Sequence, residues 1–273
     1  MYGLLAAKNQ GLRDEVLSFT RELIRTPSPS LQESEVARLV EERLRALGYD
    51  RVLTDEYGNV VGVLLGRDGA STVLLSSHMD TAEVGDAGAW REPPFDAEVR
   101  DDVLYGLGAS DCKAGLAAQV YAGALLKRSL LPLRGNLVVA ATVSEERGGS
   151  PGLRHLMRDT LPSLDIRADY AVLGDPTSLS IYYGHDGSAT FEVLIEGPDG
   201  FQVNDATHAV FENFRGQGAA AQRAEAFEQQ NLHEPSFRRS PGAACGVINI
   251  CRRLPDTETI GGMMEQIKRE ARA

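Results

Sequence analysis

The chain has 273 residues, enough for one large or two moderate domains, and its 42% hydrophobic and 25% charged content is ordinary for a soluble globular protein. Its 28 basic and 39 acidic side chains give a formal net charge of -11, which we attribute to simple solubility. This balance argues against a binding surface for nucleic acids or anionic membranes, because such a surface requires a basic patch; we predict neither partner.

Helix and strand patterns alternate through the first two thirds of the chain. Apolar residues at helical spacing predict helices over residues 12–25 and from about residue 33 to Gly48. The other predicted elements are strands over 51–54, 59–65, 72–77, 101–105, 136–143 and 168–173, a helix that ends near 126, and a helix over 151–158. This alternation favours an α/β sheet that is covered by helices on both faces.

The pattern changes after residue 185. The predicted elements there are a strand over 189–196, a helix over 206–230, a loop over 235–242, a strand over 243–252 and a helix over 259–271. Such a set suggests a small α+β domain. We therefore predict a larger domain over residues 1–185 and a smaller one over 186–273.

Cysteine usage indicates the compartment. Cys112, Cys245 and Cys251 show no Cys-x-x-Cys spacing, and pairing any two leaves an odd thiol, so a reduced cytoplasmic interior fits better than a disulfide framework. Residues 1–8 have too short an apolar run for a signal peptide and no basic start. No apolar run approaches the ~20 residues that a membrane span needs. We predict a soluble, cytoplasmic protein.

Acidic residues follow the ends of four predicted apolar segments. His78 and Asp80 are two positions apart, so on a strand they emerge on the same side. The other three sites are Asp111, the pair Glu145 and Glu146, and Asp175. Carboxylates gathered at one edge of a sheet repel one another unless a cation lies among them.

A pair of divalent metal ions is the most economical way to relieve this repulsion between carboxylates. Imidazole and carboxylate ligands suit zinc, with manganese or cobalt as acceptable substitutes. Two metals about 3.5–4 Å apart can share a water, lower its pKa and polarise a carbonyl. One glutamate of the Glu145–Glu146 pair would then bind metal, and the other would accept a proton from the bound water. The sequence thus predicts hydrolysis of an amide or similar acyl bond.

Simpler interpretations exist for each site taken alone. Asp111 and Asp175 can be helix N-caps or turn residues, and Glu145 and Glu146 a solvated loop pair. The glycine-rich residues 106–115 also invite a phosphate-binding interpretation, but the Gly-x-Gly-x-x-Gly spacing is absent. Four acidic strand ends in one α/β pattern together favour the metal site.

Four sequence blocks resemble those of a known family. They are Ser-His-Met-Asp at 77–80, Gly-Leu-Gly-Ala-Ser-Asp-Cys-Lys-Ala-Gly at 106–115, Ser-Glu-Glu at 144–146 and Leu-Gly-Asp-Pro at 173–176. In this order they are similar to the signature blocks of the di-zinc aminoacylase and carboxypeptidase family, which includes acetylornithine deacetylase, succinyl-diaminopimelate desuccinylase, glutamate carboxypeptidase and dipeptidases. The resemblance covers roughly residues 10–200, with a weaker echo over 252–267.

The resemblance implies a zinc-binding α/β domain with an inserted α+β lid that usually makes a homodimer. It implies two zinc ions per chain and a small amide or peptide substrate, such as an N-acyl amino acid. The implied metal ligands are His78, Asp111, Glu146 and Asp175. By the same similarity Asp111 bridges both metals, Glu145 is the general base, and Asp80 orients His78.

Two departures from the family pattern lead to a second hypothesis. The chain ends at Ala273, on the predicted last helix of the lid, so we expect the segment with the family's last histidine ligand to be missing. Residues 197–205 stand where the lid normally has a His-x-Ser/Ala element, and they contain no histidine. The remaining histidines are His155 and His185, expected to be structural or to have no secure role, and His208 and His233, expected at the surface. The alternative is a truncated, non-catalytic or regulatory relative that self-associates through the lid.

Overall fold

The structure is a computed structural model that describes residues 2–69, 71–184, 187–197, 200–221, 231–232, 236–240, 243–254 and 260–272. The chain divides into two compact units, Met1–Ser180 and Ile181–Ala273. Each unit has its own sheet and its own hydrophobic core. Within the described ranges, no helix is both long and apolar enough to cross a bilayer.

The first unit is built on a five-stranded mixed sheet. Its helices are α1 (Tyr2–Gln10), α2 (Arg13–Arg25), α3 (Ser34–Ala46), α4 (Ala114–Ser129), α5 (Pro151–His155) and α6 (Leu161–Ser163). Its strands are β1 (Arg51–Thr54), β2 (Val60–Leu64), β3 (Thr72–His78), β4 (Glu98–Arg100), β5 (Val103–Tyr105), β6 (Asn136–Thr142) and β7 (Tyr170–Leu173). The sheet order is β1-β2-β6-β3-β7, and β4 and β5 form a separate hairpin. Strands β6, β3 and β7 are parallel, whereas β1 and β2 are antiparallel additions.

Side-chain alternation along the central strands builds a core on each face of this sheet. Leu137 and Val139 of β6 pack on the face that α2, α3 and α4 cover. Val138 and Ala140 point the other way and pack with Leu156. A strand buried on both faces requires a continuous apolar run, which is what β6 has. The predicted α/β sheet with helices on both faces is confirmed.

The three parallel strands bring their carboxyl ends to one edge of the sheet. His78 at the end of β3 pairs with Thr142 at the end of β6, and Ser76 pairs with Leu173 at the end of β7. In open α/β sheets, ligands bind outside the carboxyl ends of the strands. The loops that leave these three strands therefore determine the site.

The second unit is a small antiparallel α+β structure. Its elements are β8 (Gly187–Gly197), α7 (Gly200–Ala221), β9 (Asn231–Leu232), β10 (Ser236–Ser240), β11 (Ala243–Leu254) and α8 (Ile260–Arg272). The strand order is β10-β11-β8, and β9 also pairs with β11. Phe191, Val193 and Ile195 alternate along β8 and pack against the cluster that contains Phe211 of α7 and Met263 of α8.

Three local predictions differ from the structure. The predicted loop over 235–242 is wrong, because β10 forms there through its pairing with β11, a contact that the local pattern does not encode. The strand predicted over 101–105 starts only at Val103, because Asp101 and Asp102 have left-handed φ values of 51° and 62° and make the turn of the β4–β5 hairpin. Helix α7 begins at Gly200 rather than at residue 206, and the predicted continuation over 222–230 lies outside the described residues.

Candidate metal centre

His78 ends β3 with its imidazole almost completely buried and both ring nitrogens facing oxygen atoms. Nδ1 lies 2.9 Å from the backbone carbonyl oxygen of Asp80 and 3.5 Å from its Oδ1 atom. Nε2 lies 2.9 Å from Oδ1 of Asp111. Burial disfavours the charged imidazolium, but hydrogen bonds to Asp80, Cys112 and Asp111 outweigh it and raise the pKa of His78 to about 12. The acceptors around the ring therefore favour a positive charge on the imidazole.

Asp80 is completely buried, and its carboxylate is a hydrogen-bond acceptor for three donors. The hydroxyl of Ser30 donates to Oδ2 at 2.6 Å. The backbone N–H groups of Glu145 and Glu146 donate to Oδ1 and Oδ2, each at 3.0 Å. Burial raises the pKa of Asp80, but the contact with the His78 ring and the hydrogen bonds from Ser30 and the two backbone groups lower it to about 2. Asp80 thus fixes the loop after β6 to the loop after β3.

The turn that presents Asp111 lies between β5 and α4. Gly108 has a left-handed φ of 72°, and a Cβ there would lie 2.5 Å from Cγ2 of Thr81. The peptide bond between Asp111 and Cys112 is cis. Lys113 is buried, and its ammonium donates to the carbonyl oxygens of Leu23 at 2.8 Å and Thr26 at 2.9 Å. This anchor fixes the turn to the end of α2, while the Asp111 side chain stays 54% exposed.

Asp175 follows β7 and is exposed at the same edge. The preceding Gly174 donates its N–H to the carbonyl oxygen of Ser76 at 2.9 Å. A Cβ on Gly174 would lie 2.1 Å from Oγ of Ser77, and a Cβ on Gly115 would lie 2.3 Å from the carbonyl oxygen of Gly174. Two glycines therefore let the first turn of α4 approach the Asp175 loop closely.

The loop after β6 presents the two glutamates. Ser144 has a left-handed φ of 62°, and its N–H donates to Oε1 of the buried Glu33 at 3.0 Å. Oε1 of Glu145 accepts a hydrogen bond from the Ser150 hydroxyl at 2.8 Å. Burial and the nearby negative charge of Asp111 raise the pKa of Glu146, against an opposing effect of His78. Glu146 thus experiences the field of the other carboxylates.

Four donor atoms in the part of the chain that the structure describes meet in one group. They belong to His78, Asp111, Cys112 and Asp175, and all lie within 4.8 Å of one another. The structure therefore brings together three of the four metal ligands that the resemblance implies. Glu146 is not a member of this group, although its backbone N–H binds Asp80 beside it. The sequence did not lead us to predict Cys112 as a member of this group, although its position next to Asp111 in the sequence could have indicated it.

Two residues that hold this edge, the partly exposed Ser30 and the buried Glu33, were also not anticipated. Ser30 and Glu33 bind Asp80 and Ser144 across 50 and 111 positions of sequence, respectively.

The other four histidines are not members of the donor group in the part of the chain that the structure describes. His155 stacks on Tyr57 with 5.1 Å between ring centroids, His208 is exposed on α7, and His185 and His233 lie outside the described residues.

The fold and the donor group define an α/β domain with a candidate metal centre at the carboxyl edge of its parallel strands. A sequence model of Peptidase family M20/M25/M40 matches residues 74–245, and the chain belongs to this family. The family resemblance seen in the sequence blocks is therefore confirmed.

Two curated relatives are each 28% identical to the chain. "Uncharacterized protein YgeY" of Escherichia coli strain K12 aligns over 196 residues, 72% of this chain and 47% of its own length. "Succinyl-diaminopimelate desuccinylase 2" of Ruegeria sp. strain TM1040 aligns over 294 residues, 100% of this chain and 73% of its own length. The chain thus spans about half the length of YgeY.

Solved structures share the fold at low sequence identity. The dipeptidase Dug1p of Saccharomyces cerevisiae superposes with a TM-score of 0.74 at 15% identity, over 99% of this chain and 75% of its own. YxeP of Bacillus subtilis, described as a dinuclear metal-binding peptidase of family M20, superposes with a TM-score of 0.60 at 14% identity, over 96% and 70%.

Proposed function

We propose that the chain is a metal-dependent hydrolase that cleaves the amide bond of an N-acyl amino acid or a small peptide. The main support is that donor atoms of His78, Asp111 and Asp175 lie within 4.8 Å of one another, although the three residues come from separate segments of the chain. The description of relatives as a desuccinylase and a dipeptidase supports amide-bond chemistry. The substrate class, an N-acyl amino acid or a small peptide, is part of the proposal.

The donor chemistry fits divalent metal, and zinc is the ion that we propose. Imidazole and carboxylate ligands are those that zinc takes in catalytic sites. We assign His78 and Asp175 to one ion, Asp111 to both, and Glu146 to the second, with cobalt or manganese as substitutes. Burial and the negative charge of Asp111 raise the pKa of Glu146, and a bound cation would relieve the charge repulsion between the two carboxylates. The dinuclear description of YxeP supports two ions per chain.

Within this proposal Glu145 moves the proton. A divalent ion, when bound, polarises the scissile carbonyl and makes water a better nucleophile near neutral pH. Glu145 accepts a proton from the attacking water and transfers it to the leaving nitrogen. The Ser150 hydroxyl holds Oε1, so we assign the water to Oε2, and the Asp80 carboxylate holds the Glu145 backbone. Asp80 therefore positions both the base, Glu145, and the metal ligand His78.

The test combines metal analysis with a hydrolysis assay. The purified chain is loaded with zinc, cobalt or manganese and supplied with N-acetyl and N-succinyl amino acids and dipeptides. We expect close to two ions per chain, turnover, and loss of turnover in Glu145→Gln with metal retained. The exposed Glu83→Gln variant is the matched control and should keep full activity. One ion or none, without turnover, favours the non-catalytic or regulatory relative.

We also propose how the chain is organised and where it acts. Residues 1–185 would be the metal-binding domain and residues 186–273 a lid through which two copies form a homodimer. Among the described cysteines, Cys112 and Cys245 are free thiols, which supports the proposed cytoplasmic location. Sedimentation equilibrium of the chain and of a variant with charged substitutions on β8 tests the dimer.

A further inference from the structure

A thiol lies among the donor atoms of the candidate metal centre. The Sγ atom of Cys112 is within 4.8 Å of donor atoms of His78, Asp111 and Asp175. Cys112 has no exposed surface and His78 is 5% exposed, whereas both aspartates reach solvent. The group thus has a buried nitrogen and a buried sulfur behind two exposed carboxylates.

This composition and spacing match a single tetrahedral ion. Zinc binds sulfur at about 2.3 Å and imidazole nitrogen or carboxylate oxygen at about 2.0–2.2 Å, so its ligand atoms lie roughly 3–4 Å apart. The four donor atoms lie within 4.8 Å of one another, close to the separations in such a shell. One nitrogen, one sulfur and two oxygens supply four donors, and zinc can expand to five-coordinate when a water or substrate atom joins them.

The surroundings of the sulfur suit a metal-bound thiolate. The backbone N–H of His78 donates to Sγ at 3.2 Å, and the thiol donates to the backbone carbonyl oxygen of the same residue at 3.4 Å. Metal binding displaces the thiol proton to solvent, which ends the second contact. The first contact remains and stabilises the negative sulfur. His78 would therefore hold the ion with its ring and the sulfur ligand with its backbone.

We propose that Cys112 is a fourth ligand of the ion at His78, Asp111 and Asp175, and that it makes this position selective for soft divalent ions. Sulfur favours zinc and cadmium, whereas manganese and magnesium prefer oxygen ligands. This inference rests on the proposed metal centre and adds a ligand to it.

Cobalt spectroscopy tests the sulfur ligand directly. The full chain is stripped of metal and titrated with cobalt under reducing conditions. We expect a sulfur-to-cobalt charge-transfer band in the near ultraviolet for the wild type and for Cys245→Ser, the matched thiol control in β11. Cys112→Ser should lose this band and keep the weaker visible bands of bound cobalt. Serine preserves a donor and an acceptor beside His78, so the substitution removes mainly the soft ligand.

A competition titration supplies a second measurement. Cys112→Ser should lower cadmium affinity by about tenfold or more and change manganese affinity by less than about threefold. The wild-type spectrum decides the question even if the variant fails to fold. Cobalt binding by the wild type without the charge-transfer band, or a band that survives in Cys112→Ser, overturns the ligand assignment and leaves the metal centre standing. Failure of the wild type to bind cobalt overturns both.

Discussion

The backbone N–H of Glu145 donates a hydrogen bond to the completely buried carboxylate of Asp80 at 3.0 Å. Together with the bond from Glu146, this contact joins the loop after β6 to the loop after β3. The family resemblance implies that Asp80 orients His78. The two hydrogen bonds show that Asp80 also positions the backbone of Glu145 and Glu146. The imidazole itself is held more closely by the Asp80 backbone carbonyl than by the carboxylate.

Asp80→Asn should weaken both the fold and the metal centre. An amide has one acceptor oxygen where three donors converge, so at least one backbone N–H faces an NH₂ group. We expect a loss of about 2 kcal/mol in the free energy of unfolding, the cost of an unsatisfied buried group near a lost charge-assisted bond. Metal affinity should fall about 10–100-fold, as for residues that orient ligands. Urea unfolding and calorimetric titration measure the two quantities. Asp68→Asn, at an exposed ion pair, is the control and should change neither.

Acid should destabilise the metal-free chain through the same carboxylate. The folded-state pKa of Asp80 is lowered to about 2 from its ordinary 3.8. The unfolded chain therefore binds this proton first, and the stabilising contribution is present above about pH 4 and lost as pH falls toward about 2. Integrated over that window, the contribution is about 2 kcal/mol. We expect unfolding free energies to fall less steeply in Asp80→Asn than in the wild type. Equal slopes would contradict the assignment of this pKa shift to Asp80.

The positions of the acidic sites could be predicted because strand ends are local signals. A buried apolar run fixes the extent of β3 and of β6, and β7 is a short apolar run that is exposed. Parallel pairing brings the residues that follow these three strands to one edge. The contacts that hold the site could not be predicted in this way. Ser30 contacts Asp80 across 50 positions of sequence, and Glu33 contacts Ser144 across 111. Only the packing of the whole unit brings residues so far apart in sequence into contact. The orientation of Cys112 likewise depends on the turn, not on its sequence neighbours.

Gly115→Ala should disturb Asp175. The added Cβ would lie 2.3 Å from the carbonyl oxygen of Gly174, and a rigid backbone cannot yield as a side chain can. The first turn of α4 must then move away from the loop that holds Asp175, so we expect metal affinity to fall at least about tenfold. Gly3→Ala is the control, because it also lies in a helix and its Cβ would meet nothing within 4 Å. Calorimetric titration with zinc compares the two. Unchanged affinity in Gly115→Ala would show that the loop tolerates the shift.

Lys113→Met should destabilise the turn that holds Asp111. Methionine fills similar space, but the carbonyl oxygens of Leu23 and Thr26 lose their shared cationic donor at the end of α2. We expect a loss of about 2–3 kcal/mol, typical of hydrogen bonds to a charged group. Thermal and urea unfolding measure it. The partly exposed Lys127→Met, which removes an ion pair with Asp50, is the control and should cost less than about 1 kcal/mol.

Metal binding should stabilise the folded chain by an amount that grows with the logarithm of the free metal concentration. An ion that binds the folded state alone adds about 2.7 kcal/mol at a free concentration one hundred times its dissociation constant. We expect zinc to raise the unfolding midpoint of the wild type and a chelator to reverse the shift. Asp175→Asn should reduce this zinc-dependent shift and leave the metal-free midpoint nearly unchanged, because its side chain is exposed. Asp165→Asn, in the turn after α6, should keep the full shift. A zinc-dependent shift of equal size in Asp175→Asn would exclude Asp175 as a ligand.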